Sequence, residues 1–212
     1  NIGEARAQAN KEAKGEYILT QLDVDEKYDP IIKDFVEIYE QVREKTGKEI
    51  NMDCDISIGP KNLLTNINYR EMGYGEDVDF GRRLQAADKI LGLDHKTAKE
   101  SIGYDRDTIE NIRVGLDLAI SDFRSGVSFR SFILNRVKNI NIFEHYLQLI
   151  VSPILYLIAK KRGVYGLPEG FEKMKHRKTY KKKPIAYYEK KWHIEIDREK
   201  LSEEGRNLIF FN

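Results

Sequence analysis

The sequence predicts an α/β fold that becomes mostly helical after its midpoint. Three observations carry this. A helix-forming run over 4–14 leads straight into a short β-rich run over 16–22, the pattern of a helix packed back on a buried strand. A second pair follows, with helical spacing over 31–42 and period-two alternation over 49–58. From Asp107 onward long helical patterns dominate.

In order, Ala5, Ala7, Ala9 and Ala13 favour the first helix, and Gly15 stands where a C-terminal cap belongs. The run EYILTQL then ends in Asp23. Pro30 suits the first turn of the next helix, and Gly47 ends it. Over 49–58 one strand is expected, with Ile50, Met52, Cys54, Ile56 and Ile58 on one face and Asn51, Asp53, Asp55 and Ser57 on the other. Gly59-Pro60 stops it, and 61–67 is a short helix or turn. The run 76–87 reads as a helix with Glu76, Asp77 and Asp79 in its first turn, which complements the helix dipole. Residues 89–93 read as another short strand. Helices are expected at 108–123, 129–137 and 142–161, a loop at 163–170, and a late strand at WHIEID, 192–197. The domain boundary belongs near residue 105: an α/β core over 1–105 and a helical appendage over 106–212.

The totals exclude some classes. Lys and Arg number 36 against 35 Asp and Glu, so the net charge of +1 gives no general reason to expect nucleic acid. The single Cys54 cannot close an internal disulfide, which predicts a reducing compartment, the cytoplasm. The longest apolar run, 146–159, is shorter than the ~20 residues of a spanning helix, and Pro153 interrupts it. A buried or interfacial helix is the expectation there. The chain opens on Asn1, in what reads as the middle of a motif.

Two constellations carry chemistry. Asp23-Val24-Asp25 stands at the end of a predicted strand, at the carboxyl edge where open α/β sheets bind ligands. Two carboxylates there suit Mg²⁺ or Mn²⁺, which take oxygen ligands and share them with substrate phosphates. A bare D-x-D is also a common accident in a chain this acidic; its strand-end position raises its weight. The second is GYGEDVDFGRRL, 73–84. A carboxylate at that helix start, Glu76 or Asp77, is placed to act as general base on an acceptor hydroxyl. The plain alternative is charge complementarity at a helix start. Arg82 and Arg83 either clamp phosphate or pair with Asp79 one turn away.

Together these blocks resemble family 2 glycosyltransferases with the GT-A fold. That family leads into its metal site with a pattern like G-x-A-R-N-x-x-x-x-x-A-x-G-E-Y-I-x-x-x-D-x-D. Here the matching residues are Gly3, Ala5, Arg6, Asn10, Ala13, Gly15, Glu16, Tyr17, Ile18, Asp23 and Asp25. The family's later G-E-D-x-D-x-x-x-R-L is matched by Gly75, Glu76, Asp77, Asp79, Arg83 and Leu84. The resemblance covers about residues 1–100. It implies a GT-A-like, Rossmann-like mixed sheet and a hexosyltransferase-like enzyme working with Mn²⁺ or Mg²⁺. Asp23 and Asp25 would bind the metal, with Asp23 also at the donor diphosphate. Asp77 would be the base, with Glu76 as its alternative, and Arg6 and Arg83 would sit near the nucleotide-sugar donor. The family's opening strand and its base-reading Asp are not in this text, so the resemblance implies a longer native protein. No Q-x-x-R-W block occurs, which implies single-sugar, non-processive transfer. The acceptor would be a glycan, a protein or a lipid phosphate.

His95 stands where some relatives place a third metal ligand; a satisfied surface histidine is the alternative. The basic run 173–183 sits beside the apolar helix, and two readings compete. The two together read as a peripheral membrane contact over 146–183, or the run reads as an exposed loop with no partner. Two rival functions remain: a non-catalytic scaffold module derived from a transferase, and a nucleotidyltransferase, against which 75–84 argues.

Overall fold

The computed structural model describes residues 1–21, 26–27, 31–54, 56–96, 100–101, 108–138, 143–166 and 182–210. In chain order the elements are α1 (Ile2–Glu12), β1 (Tyr17–Gln21), β2 (Glu26–Lys27), α2 (Ile32–Thr46), β3 (Asn51–Asp53), β4 (Ile56–Pro60), α3 (Lys61–Asn66), α4 (Glu76–Ala86), β5 (Ile90–Gly92) and β6 (Glu100–Ser101). Then come α5 (Thr108–Arg124), α6 (Phe129–Lys138), α7 (Phe143–Arg162), α8 (Ile185–Trp192) and α9 (Glu203–Ile209), with a 3-10 turn at Arg198–Lys200.

The fold is mixed α/β. Its main sheet has the order β1-β4-β3-β5. β4 lies antiparallel to both β1 and β3, and β3 lies parallel to β5. A second, two-residue ladder joins β2 and β6.

The chain divides into two compact units. One holds Asn1–Ala9, Asn68–Ala87 and Asp105–Thr179; the other holds Asn10–Ile67, Asp88–Tyr104 and Tyr180–Asn212. The two units interleave along the chain, with crossings after Ala9, Ile67, Ala87, Tyr104 and Thr179.

The sheet unit is built around α2. Ile31, Phe35, Ile38, Tyr39 and Val42 are buried against Ile50, Met52, Ile56, Ile58, Leu91 and Leu93 of the sheet. Gly47 caps α2 in the left-handed region (φ 62°) and donates its N–H to the Arg43 carbonyl, as a C-terminal glycine should. Gly15 does not play that part for α1: the helix ends at Glu12, and Gly15 is not among the positive-φ residues.

The stretch 49–58 is a hairpin and not one strand. All five apolar residues face the core as expected, but the chain reverses between Asp53 and Ile56. Period two cannot reveal this, because buried Cys54 keeps the alternation going through the turn. The other face is not simply polar and wet. Asn51 and Ser57 are both buried, and the Ser57 hydroxyl donates to Asn51 Oδ1 at 2.8 Å.

The C-terminal segment closes the same core with Ile185, Tyr188, Ile196, Leu201 and Ile209. Trp192–Asp197 is not a strand. Trp192 ends α8, and His193 turns through the left-handed region (φ 54°). The alternation of Trp192, Ile194 and Ile196 is real in burial, but Ile194 N–H bonds back to the Glu189 carbonyl of α8 (3.0 Å) and the N–H groups of Ile196 and Asp197 go to side chains. Ile196 N–H donates to Glu189 Oε1 (2.9 Å) and Asp197 N–H to Gln41 Oε1 (2.6 Å). The edge of β5 is covered by the same segment. Lys183 bridges Leu93 in parallel, donating to the Gly92 carbonyl and accepting from the Asp94 N–H (both 2.8 Å), and the Tyr188 hydroxyl donates to the same Gly92 carbonyl (2.9 Å) and accepts from the Gly92 N–H (3.0 Å). Buried Asp34 of α2 accepts from Ser202 N–H and Oγ, and Ser202 in turn caps α9.

In the helical unit α5, α6 and α7 pack around Ala119, Ile120, Phe123, Phe132, Leu155 and Ala159. Pro153 does not break α7, which runs through it. A proline there orphans the carbonyl four residues back, that of Leu149. The Ser152 hydroxyl donates to that carbonyl at 2.8 Å.

Candidate functional site

The site is built on α4 and on what meets its first turns. Gly75 enters the helix in the left-handed region (φ 79°), where a Cβ would meet the Leu118 side chain at 3.3 Å. The helix then puts charge on its inner face. Glu76, Asp79, Arg82 and Phe80 are buried, whereas Asp77 is exposed.

Buried charge has to be paired, and here it is. Glu76, 4% exposed, meets the Arg6 guanidinium at 2.9 Å. Asp79, 1% exposed, lies between Arg70 (3.1 Å) and Arg83 (2.9 Å). Burial pushes the Arg83 guanidinium below the usual arginine value, and the Asp79 carboxylate opposes that push. Arg82 faces Asp122, which Arg136 also approaches. Arg83 thus makes the i,i+4 pair with Asp79, the alternative to a phosphate clamp, and Arg6 serves Glu76.

The two motif blocks touch. Gly3 N–H donates to the Met72 carbonyl at 3.0 Å. A Cβ on Gly3 would stand 2.1 Å from the Arg70 carbonyl oxygen, so only glycine fits against the chain that leads into α4. Asn68 Nδ2 donates to the Ala7 carbonyl (3.2 Å), and Arg6 lies 5.6 Å above the Tyr69 ring, which stacks on Phe80. Arg124 donates to the Glu71 carbonyl (2.7 Å) and to the Tyr165 hydroxyl (3.0 Å), and Tyr165 also lies under the Arg70 guanidinium. Arg70, Arg124 and Tyr165 have no sequence signal. They sit in irregular text or on a helix distant in sequence, and no spacing links them to 75–84.

Asp77 is therefore the carboxylate of the first turn that faces outward. It accepts a hydrogen bond from its neighbour Val78 N–H at 2.7 Å, and its surroundings are otherwise solvent-exposed. Of the two candidate bases, exposure favours Asp77 over Glu76, because a base must reach its substrate.

Asp23 and Asp25 lie outside the described residues. Among the described residues no group of three His, Cys, Asp or Glu forms a metal cluster. His95 has Nε2 2.9 Å from the Cys54 carbonyl and Nδ1 2.7 Å from the Lys96 carbonyl, with its ring against Phe35. A metal on either nitrogen would have to displace a carbonyl contact.

Each unit carries an open cleft. In the sheet unit, ≈ 790 Å³ are lined by Gly15, Glu16, Tyr17, Arg43, Lys61 and Asn62. This cleft stands at the amino end of β1, whereas Asp23 and Asp25 follow its carboxyl end in sequence. In the helical unit, ≈ 860 Å³ lie along α5 and α7, with Ile112, Leu116, Ile120 and Ile158 beside Arg113 and Arg162.

Comparison with protein-family models, with curated proteins and with solved structures gives no match.

Proposed function

We propose that the protein is a metal-dependent glycosyltransferase of GT-A type, moving a sugar from a nucleotide-sugar donor to an acceptor hydroxyl with inversion. The observation that supports this most is the ion pair Arg6–Glu76, which joins the two motif blocks, beside the Gly3–Met72 bond to the chain leading into the second. Accidental matches far apart in sequence have no reason to share an ion pair.

In this reading the acceptor oxygen attacks the anomeric carbon, and the bond from that carbon to the donor diphosphate breaks. The acceptor proton passes to the Asp77 carboxylate. Asp23 and Asp25 would hold the cation, and their oxygen donors suit Mn²⁺ or Mg²⁺. When bound, the cation supplies Lewis-acid stabilisation of the departing diphosphate. Glu76 takes no part in proton transfer and holds Arg6, and through it the turn that presents Asp77.

The test is nucleotide release from UDP-, GDP- and CMP-sugars with Mn²⁺, in the full-length protein. Asp23→Ala with Asp25→Ala abolishes turnover, and an active double variant sinks the assignment. Asp77→Asn lowers kcat by about 10²–10⁴-fold, the usual contribution of a general base. A second reading, a non-catalytic scaffold, draws on the mutual neutralisation of Arg6, Glu76, Arg70, Asp79 and Arg83. It requires that none of these nucleotide sugars shifts the melting temperature.

A further inference from the structure

Helix α7 is apolar on its solvent side as well as on its core side. At 100° per residue, Tyr146, Ile150, Pro153, Ile154 and Leu157 fall within an arc of about 100°. That arc is the solvent side: Tyr146 is 54% exposed, Ile150 62%, Ile154 60% and Leu157 65%. The opposite side carries Gln148 and Ser152 into the interior, beside Leu155 and Ala159. Gln148 Nε2 donates there to the Gly115 carbonyl at 2.9 Å. Val151, Tyr156 and Ile158 also pack on the core, so what departs from a water-facing helix is the outer side, which should be polar. Single exposed apolar residues are ordinary, but an unbroken line of them along three turns marks a surface that another phase or partner covers.

The charges say which. Lys160, Lys161 and Arg162 are exposed in the last turn, and Lys161 continues the apolar arc. No Asp or Glu occurs between Tyr146 and Arg162. The chain from Thr108 to Lys183 carries 15 Lys and Arg against 6 Asp and Glu, while the remainder carries 21 against 29. The near-zero net charge hides a strong asymmetry. Two copies meeting through this face would bring like charges together. Nucleic acid would leave the apolar line unused. No helix among the described residues is long and apolar enough to cross a membrane.

We propose that α7 lies along an anionic lipid surface. The Tyr146–Ile150–Ile154–Leu157 line enters the interfacial zone, and Lys160 and Lys161 reach lipid phosphates with their stems against the acyl boundary. This stands whether or not the protein transfers sugars, because no donor is involved.

Flotation of the full chain with vesicles tests it. Phosphatidylcholine vesicles containing phosphatidylglycerol should carry the protein up, pure phosphatidylcholine should carry much less, and added salt should weaken the binding. Ile150→Ser with Ile154→Ser and Leu157→Ser should lower the bound fraction roughly tenfold, and Lys160→Glu with Lys161→Glu should do likewise. The two lysines are exposed, so the charge variant remains informative if the triple variant misfolds. Absence of wild-type binding to the anionic vesicles overturns the proposal, as does binding that neither variant weakens. A wild-type dimer that the triple variant dissociates, with no vesicle binding, also overturns it and assigns the face to a second copy.

Discussion

Glu76 and Asp77 are neighbours with opposite fates, and the helix period is the reason. One step of 100° turns Glu76 inward onto Arg6 and Asp77 outward into water. Two substitutions should separate them. Glu76→Gln leaves Arg6 with a weakened partner and should lower stability by about 2–3 kcal/mol, somewhat below the usual cost of breaking a fully buried pair because Arg6 is partly exposed. Asp77→Asn gives up only an exposed first-turn charge, worth about 0.3–1 kcal/mol, so it should lower the melting temperature much less and act chiefly on turnover. Thermal denaturation of both variants checks this, and equal melting losses would mean that Asp77 is structural too. Gly3 is fixed by a harder constraint. Its missing Cβ makes room for the Arg70 carbonyl, so Gly3→Ala should destabilise the helical unit by about 1–3 kcal/mol or more, the range for overpacking.

At the scale of elements, α7 and α2 show how ends and breaks are managed. Pro153 survives inside α7 because the Ser152 hydroxyl takes over the Leu149 carbonyl. Ser152→Ala removes that donor from a buried site and should cost about 1 kcal/mol in a denaturant titration. In the Pro153→Ala background the restored backbone N–H at position 153 serves the same carbonyl, so the Ser152→Ala loss should largely vanish. A loss that stays the same in both backgrounds would show that the hydroxyl does not replace the missing N–H. Gly47 is a simpler end. Its φ of 62° suits glycine, and Gly47→Ala should cost about 1 kcal/mol.

At the scale of the molecule, the sheet unit depends on residues from opposite ends of the chain. Ile185, Tyr188, Ile196, Leu201 and Ile209 complete a core begun by Ile31 and Phe35. Tyr188 links this closure to pH. Burial, more than any other cause, pushes its hydroxyl up to about 12, against the Gly92 hydrogen bond. Burial also raises Tyr39 well above the ordinary tyrosine value. A group whose folded value is raised stabilises the fold fully below its unfolded value, here about 10, and loses that contribution as pH climbs through its folded value. Stability should therefore fall between about pH 10 and 12. Tyr188→Phe should lower stability near neutrality by about 1–2 kcal/mol, since the Gly92 N–H loses its acceptor while the Gly92 carbonyl keeps the Lys183 N–H, yet make the alkaline decline shallower. An unchanged alkaline slope in that variant would remove Tyr188 as its cause.

By itself the sequence determined what local physics determines. The helical spacing of Ile31 to Val42, the cap at Gly47, the acidic first turn of α4 and the helices after Asp107 all follow from periodicity and end chemistry within a few turns of chain. It also placed Glu76, Asp77 and Arg83 on one short helix, and its i,i+4 alternative for Arg83 is the pairing the structure has. Tertiary structure decided everything that depends on who sits opposite. The reversal at Cys54, the irregular course of 194–197, the burial of Glu76 on Arg6 and the passage of α7 through Pro153 each turn on a partner distant in sequence or on a single side-chain donor. Pattern cannot see such partners, because period two is the same in one strand as in a hairpin. Likewise, an apolar stripe reads the same whether the fold turns it inward or, as in α7, leaves it facing out.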